Sequence, residues 1–288
     1  MGLSRDIKQQ LKRALHRTRT SLTQRLFAFN SSQLLELLRG LGVQPGDVVC
    51  VHSAFDQFLG FQGHVGDALK VLQQAVGEQG GLMMPTQPFT STAIDYVRKH
   101  PVTDIARAPS TVGMITEILR RTPGAVRSIN PTHPVALWGR RGVALADRDW
   151  EAGTPCGRGT AYHRLIDADA RILMMGTGLQ PMTFYHFIEE LIEPQMPFSP
   201  FTREVFELKS RNRAGEVFES RMRLFEPGPS SRRRMSLMEP DLRAAGAWRA
   251  GRVGRLEVIS LRAVQVLQVV EAMAREGRYC YLPETAAQ

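Results

Sequence analysis

The chain has 288 residues, with 37 Lys and Arg against 28 Asp and Glu, for a formal net charge of +9 at pH 7. A hydrophobic content of 43% and a charged content of 23% suit a folded globular protein. They exclude a collagen, a disordered tail and a disulfide scaffold. The three cysteines, Cys50, Cys156 and Cys280, are odd in number and far apart. That speaks against a disulfide framework or a CxxC metal site, and for a reducing, cytoplasmic setting.

Residues 1–29 hold seven basic residues and one acidic. Leu3, Ile7, Leu11, Leu15, Leu22 and Leu26 recur at roughly helical spacing, which predicts a basic amphipathic helix over 1–29. It would pack on the domain, on a partner subunit of a homo-oligomer, or on an anionic membrane surface at the inner face. No secretory leader or spanning segment is read in the sequence. Residues 30–288 read as one domain, with no internal repeat or low-complexity linker.

A helix is predicted from an N-cap at Ser32 to Arg39, ended by Gly40 and Gly42. Val48–His52 reads as a short buried strand, Asp67–Val76 as a helix opened by Gly63–Gly66, and Leu82–Pro85 as a second strand. Residues 86–109 read as a long functional loop, and Ser110–Arg121 as a helix. Ala170–Met175 is a third strand, broken by Gly176-Thr177-Gly178, and Thr183–Ile192 is a helix. Residues 205–225 read as a hairpin, 227–252 as irregular, and 260–276 as a closing helix. The alternation predicts an α/β fold: a central mixed sheet flanked by helices, with a C-terminal β-hairpin region.

Thr183, His186 and Glu189 recur every third residue, so His186 and Glu189 share a helix face. A carboxylate beside an imidazole fixes its tautomer and stabilises the imidazolium, which is what a general base needs. His52 at a strand end and His133 in a Pro-flanked polar stretch are further candidates, although each taken singly reads first as a satisfied structural histidine. Cys156 is an alternative nucleophile with His186 as base. No histidine pair has metal-ligand spacing, so no metal is expected. Arg232-Arg233-Arg234 reads as a solvated loop, or as a phosphate contact. The charge is concentrated in two flanks: residues 30–202 carry a net −2 and residues 203–262 a net +6. A nucleic-acid partner is not expected from that distribution.

Several ordered segments together resemble the aminoglycoside 3-N-acetyltransferases and their amino-sugar relatives. They are Gly46–Ser53, Gly63–Leu69, Val76–Thr86, Pro109–Gly113, Arg120–Ser128, His133-Pro134, Thr154–Gly157, and Gly176–Thr183 with His186 and Glu189. The resemblance implies acetyl-CoA as co-substrate and transfer of its acetyl group to a primary amine of an amino sugar or aminoglycoside. It implies His186, Glu189, Thr183 and His52 as catalytic residues. Ser53, Ser110, Thr111, Val112, Arg127, Ser128 and His133 would bind the cofactor. Ile129–Thr132 lengthens the family's R-S-x-H-P element. With the basic 203–262 region, this favours a neutral or anionic acceptor such as a nucleotide-linked sugar. The competing reading is a catalytically idle CoA-binding relative acting in assembly.

Overall fold

The computed structural model describes residues 26–283. The helix expected over 1–29 therefore lies almost wholly outside the described residues. Helix α1 spans Ser31–Gly40 and is capped by Asn30 rather than Ser32. The Asn30 side chain accepts from the Gln33 N–H and the Gln33 side chain accepts from the Asn30 N–H, both at 3.0 Å. This reciprocal box is worth about 1 kcal/mol, more than a lone serine would supply at a position already inside the helix.

In order there follow β1 (Val48–Ser53), α2 (Val65–Val76), β2 (Gly81–Pro85), α3 (Ala93–Lys99), β3 (Val102–Asp104) and α4 (Met114–Arg121). Then come β4 (Val126–Arg127), β5 (Val135–Trp138), α5 (Arg140–Val143), α6 (Ala161–Asp167), β6 (Arg171–Met175) and α7 (Tyr185–Ile192). The chain continues with β7 (Phe201–Arg211), β8 (Val217–Phe225), α8 (Pro227–Arg232), α9 (Glu239–Ala244), β9 (Arg249–Val253), β10 (Leu256–Arg262) and α10 (Ala263–Arg275).

A seven-stranded sheet runs β4-β5-β2-β1-β6-β10-β9. Its centre is parallel, β1 pairing with both β2 and β6, and its flanks are antiparallel. All six residues of β1 are buried, as expected of a parallel strand covered on both faces. One apolar cluster packs α6, α7 and α10 on one face, and a second packs α1, α2 and α4 on the other. The mixed sheet expected from the sequence is thus observed.

Two stretches read as irregular are ordered. Within 86–109, the Thr92 side chain accepts from the Asp95 N–H at 3.1 Å and starts α3. Ala93, Tyr96 and Val97 share one face of α3, which packs on Phe206, Leu208, Met222 and Leu224 of the hairpin. Strand β3 then pairs in parallel with β7, giving a three-stranded sheet β3-β7-β8. Residues 227–252 contain α8, α9 and β9. The α4 helix starts at Met114, four residues later than read from the sequence, and α7 starts at Tyr185.

Candidate active site

Strand β1 ends at His52 and Ser53, paired with Met174 and Met175 at the end of β6. Successive strand residues face opposite ways. His52 shares the face of Cys50, toward α7, and Ser53 shares the face of Val49 and Val51. Just beyond β6, α7 brings His186 and Glu189 to this same end.

His186 Nδ1 lies 2.7 Å from Glu189 Oε2. Glu189 is completely buried, and its second oxygen meets Arg233, whose Nε donates to Oε1 at 2.6 Å and whose Nη2 donates to Oε2 at 3.2 Å. The Tyr281 hydroxyl donates to the same Oε1. Four donor atoms on three side chains, two of them distant in sequence, therefore satisfy one buried carboxylate.

Burial pushes the Glu189 carboxyl up, but Arg233 and then His186 outweigh it and hold it below the usual range. Burial, then Arg233, lowers His186, with Glu189 opposing both. The resulting resting state is an ionised Glu189 and a neutral His186 with its proton on Nδ1. The Nε2 lone pair is left to accept a proton.

Two other histidines surround this ring. The His133 ring lies 6.2 Å from that of His186, and Phe225 lies 4.5 Å from His186 and 5.3 Å from His133. Burial and then His186 lower His52 to about 3. Burial, His186 and Arg233 push His133 well below its ordinary value. Three buried imidazoles thus stay neutral, burial first and then His186 disfavouring a charge on His52 and His133.

The lengthened Ile129–Thr132 segment has a definite job. The Asn130 side chain accepts from the Thr132 and His133 N–H groups, at 3.1 and 2.8 Å, and donates to the Pro155 carbonyl at 2.9 Å. It fixes the turn that presents His133 to His186. At Gly157, a Cβ would fall 1.7 Å from Glu190 Oε2. That carboxylate receives the Thr154 hydroxyl and the Arg158 N–H, so only glycine fits the turn.

The residues expected to bind cofactor divide. Thr111 and Val112 are exposed, and the loop carrying them reaches Ser53, because a Cβ on Gly113 would sit 3.4 Å from the Ser53 carbonyl. The Ser53 hydroxyl is buried without a partner. Ser110, by contrast, is engaged internally, its hydroxyl 2.7 Å from Thr116 and its N–H on Glu117. Ser128 is 1% exposed and accepts from the Val135 N–H, so it is a core residue. Arg127 donates to the Thr86 hydroxyl and to the carbonyls of Thr86, Ile105 and Ala108. It clasps the loop to the sheet and has little left for a phosphate. His133 belongs beside His186.

Thr183 precedes α7, is 6% exposed, and has its hydroxyl 3.4 Å from the Pro181 carbonyl. Cys156 is fully buried, and burial followed by nearby carboxylates raises its thiol well above the ordinary value. It supplies no thiolate. Arg233 is the important residue that sequence reasoning missed. Its sequence context predicts a solvated run, yet it is 8% exposed and pairs with Glu189. Its flanking Arg232 and Arg234 carried the misleading signal.

The aminoglycoside 3-N-acetyltransferase family profile matches residues 50–275, more than half of the chain. The chain belongs to this family. It is 30% identical over 244 residues to aminoglycoside N(3)-acetyltransferase VII of Streptomyces paromomycinus, covering 77% of this chain and 83% of that protein. It is 28% identical over 254 residues to aminoglycoside N(3)-acetyltransferase VIII of Streptomyces fradiae, covering 82% and 88%. Among solved structures, aminoglycoside acetyltransferase AAC(3)-Xa superposes with a TM-score of 0.77 at 24% identity, over 91% of this chain and 99% of that one. A binary complex of AAC-IIIb with CoASH superposes with a TM-score of 0.70 at 21% identity, over 86% and 97%. Membership makes this acetyltransferase an enzyme that moves an acetyl group from acetyl-CoA to an amine.

Among the described residues, no group of three or more His, Cys, Asp or Glu could hold a metal ion, and no helix is long and apolar enough to cross a membrane.

Proposed function

We propose that His186 is the general base and that the acceptor is a primary amine of an aminoglycoside or a related amino sugar. The carrying observation is the buried chain His186–Glu189–Arg233, which leaves a neutral imidazole with a free Nε2. The acceptor ammonium first loses one proton to solvent. Nε2 takes a second as the amine nitrogen bonds to the thioester carbonyl. The tetrahedral intermediate then breaks its C–S bond, and the imidazolium returns the proton to the leaving sulfur. An amide and free CoA thiol result, with no covalent enzyme intermediate.

Glu189 and Arg233 are positioning residues in this reading. The Thr183 hydroxyl is the donor assigned to the developing oxyanion. His52 and His133 shape a neutral pocket around the acetyl group. The pantetheine arm passes Ser53, Thr111 and Val112. Beyond the 105–111 segment lies a groove of about 1140 Å³ with no carboxylate in its lining. Its exposed cations are Arg107, Arg213 and Arg121, the last also paired with Glu117, while Arg120 is taken up by Glu117 and the Ala106 carbonyl. We assign the phosphates of acetyl-CoA to this side, since Arg127 is already committed.

The relatives' names favour an aminoglycoside acceptor. The basic 203–262 region favours a second reading, an anionic nucleotide-linked amino sugar. Thiol release from acetyl-CoA against a panel holding both classes decides between them. Release with wild type that survives His186→Ala unchanged would overturn the assigned base. The basic 1–29 segment is proposed to touch an anionic membrane surface, which flotation with phosphatidylglycerol vesicles tests against a chain lacking residues 1–25.

A further inference from the structure

At the end of the sheet away from His186, the strand register gathers three arginines on one face. Arg171 of β6 stands directly opposite Arg262 of β10, and Ser260 of β10 stands opposite Arg249 of β9. Residues 260 and 262 point the same way, and cross-strand partners share a face. Like charges placed directly opposite are destabilising unless something neutralises them.

Two of the three have partial compensation. Arg171 Nε reaches Asp47 at 3.2 Å, and Arg262 Nη2 reaches Asp169 at 3.1 Å. Arg249 makes no ion pair among the described residues. Its Nη1 and the Arg171 Nη2 nevertheless approach the same spot beside Gly42, at 3.2 and 3.1 Å from where a Cβ would sit. Two guanidinium groups thus converge with no carboxylate shared between them.

These side chains line one small pocket of about 160 Å³ together with Ser260 and Gln265. Ser260 is 1% exposed and its hydroxyl has no hydrogen-bond partner. An orphaned buried hydroxyl costs roughly 1–3 kcal/mol, so its retention beside converging cations is a second sign of an absent acceptor. The volume is too small for a nucleotide or sugar, which occupy pockets of about 300–1,000 Å³. It suits one tetrahedral oxyanion, held by guanidinium forks.

We propose that Arg171, Arg249, Arg262 and Ser260 form a binding site for a phosphate-class anion, separate from the acetyl-transfer centre. The four steps of β6 from Arg171 to Met175 place it about 13 Å from the strand ends that carry His52 and Ser53. The anion would neutralise the repulsion among the arginines that β6, β9 and β10 present side by side, and so stabilise that edge of the sheet.

Calorimetric titration of the full chain with inorganic phosphate, at constant ionic strength set with chloride, tests this. One saturable site per chain is expected, competed by sulfate. Arg249→Gln and Arg262→Gln should each weaken it tenfold or more while leaving acetyl-transfer turnover unchanged. Both arginines are at least partly solvent-exposed, and thermal melts confirm folding of each variant. A sugar phosphate serves as the second probe. Its binding assigns the site to phosphate monoesters, and its exclusion assigns it to the free anion. No saturable phosphate binding by wild type up to roughly 10 mM, or binding unaltered in both variants, would overturn the proposal.

Discussion

Arg127 and Arg233 are both largely buried arginines with guanidinium groups engaged inside the protein, but their partners differ in kind. Arg127 donates to neutral oxygens, a threonine hydroxyl and three carbonyls. Burial alone then dominates, and its charge is disfavoured, with its pKa lowered to about 10. Arg233 donates to an ionised carboxylate and has its pKa raised, because Glu189 outweighs the cost of burial. The first arginine fastens a loop to a sheet. The second holds the Glu189 charge in place and also acts directly on His186, lowering its pKa against the opposing effect of that charge. The chemistry of the acceptor, more than depth of burial, separates an arginine that serves the fold from one that, in the proposed mechanism, serves the reaction.

The contrast can be broken by substitution. The largest expected effect is from His186→Ala, which should lower kcat by about 10²–10⁴-fold while the melting temperature stays near that of wild type. Arg233→Met comes next. It leaves Glu189 buried and unpaired, at a cost of about 3–5 kcal/mol in urea unfolding, and it should also alter the pH dependence of turnover. Arg127→Met should cost about 1–3 kcal/mol by unsatisfying buried carbonyls, yet leave the pH dependence untouched. If Arg127→Met moved the pH profile as Arg233→Met does, the distinction would fail. Arg213→Glu, on the hairpin turn, should raise KM for acetyl-CoA several-fold with kcat preserved.

The helix assigned to catalysis was more legible in the sequence than its surroundings. Thr183, His186 and Glu189 lie within seven residues, so helical geometry alone puts His186 beside Glu189. The alternating strands and helices likewise made the mixed sheet legible. Arg233 and Tyr281 stand 44 and 92 residues from Glu189, and no local pattern connects them. Only the packing of the segment just after α8 and of the C-terminal segment against α7 does so. The α3 helix was hidden for another reason, being short with its apolar face turned to the hairpin. Arg127 misled because an Arg-Ser pair near a cofactor motif is a plausible phosphate contact until its carbonyl partners are seen.

Acid should weaken the fold through the same histidines. His52, His133 and His186 all have pKa values lowered in the folded state. The unfolded chain therefore binds more protons once the pH falls below the unperturbed value of about 6.5. Stability is full above that pH and is lost progressively below it. His52 alone, with its pKa near 3, removes about 1.4 kcal/mol per pH unit across that window. Urea unfolding at pH 7 and pH 5 reads this, and a His52→Asn variant should show a shallower decline.

The most direct test of the central claim is the pH profile of kcat/KM for wild type and Arg233→Met side by side. Arg233 lowers the pKa of His186, so its removal should move the acidic limb of the profile to higher pH. An acidic limb that stays where it is in the variant would contradict the assignment of Arg233 and Glu189 as the groups that keep His186 ready to accept a proton.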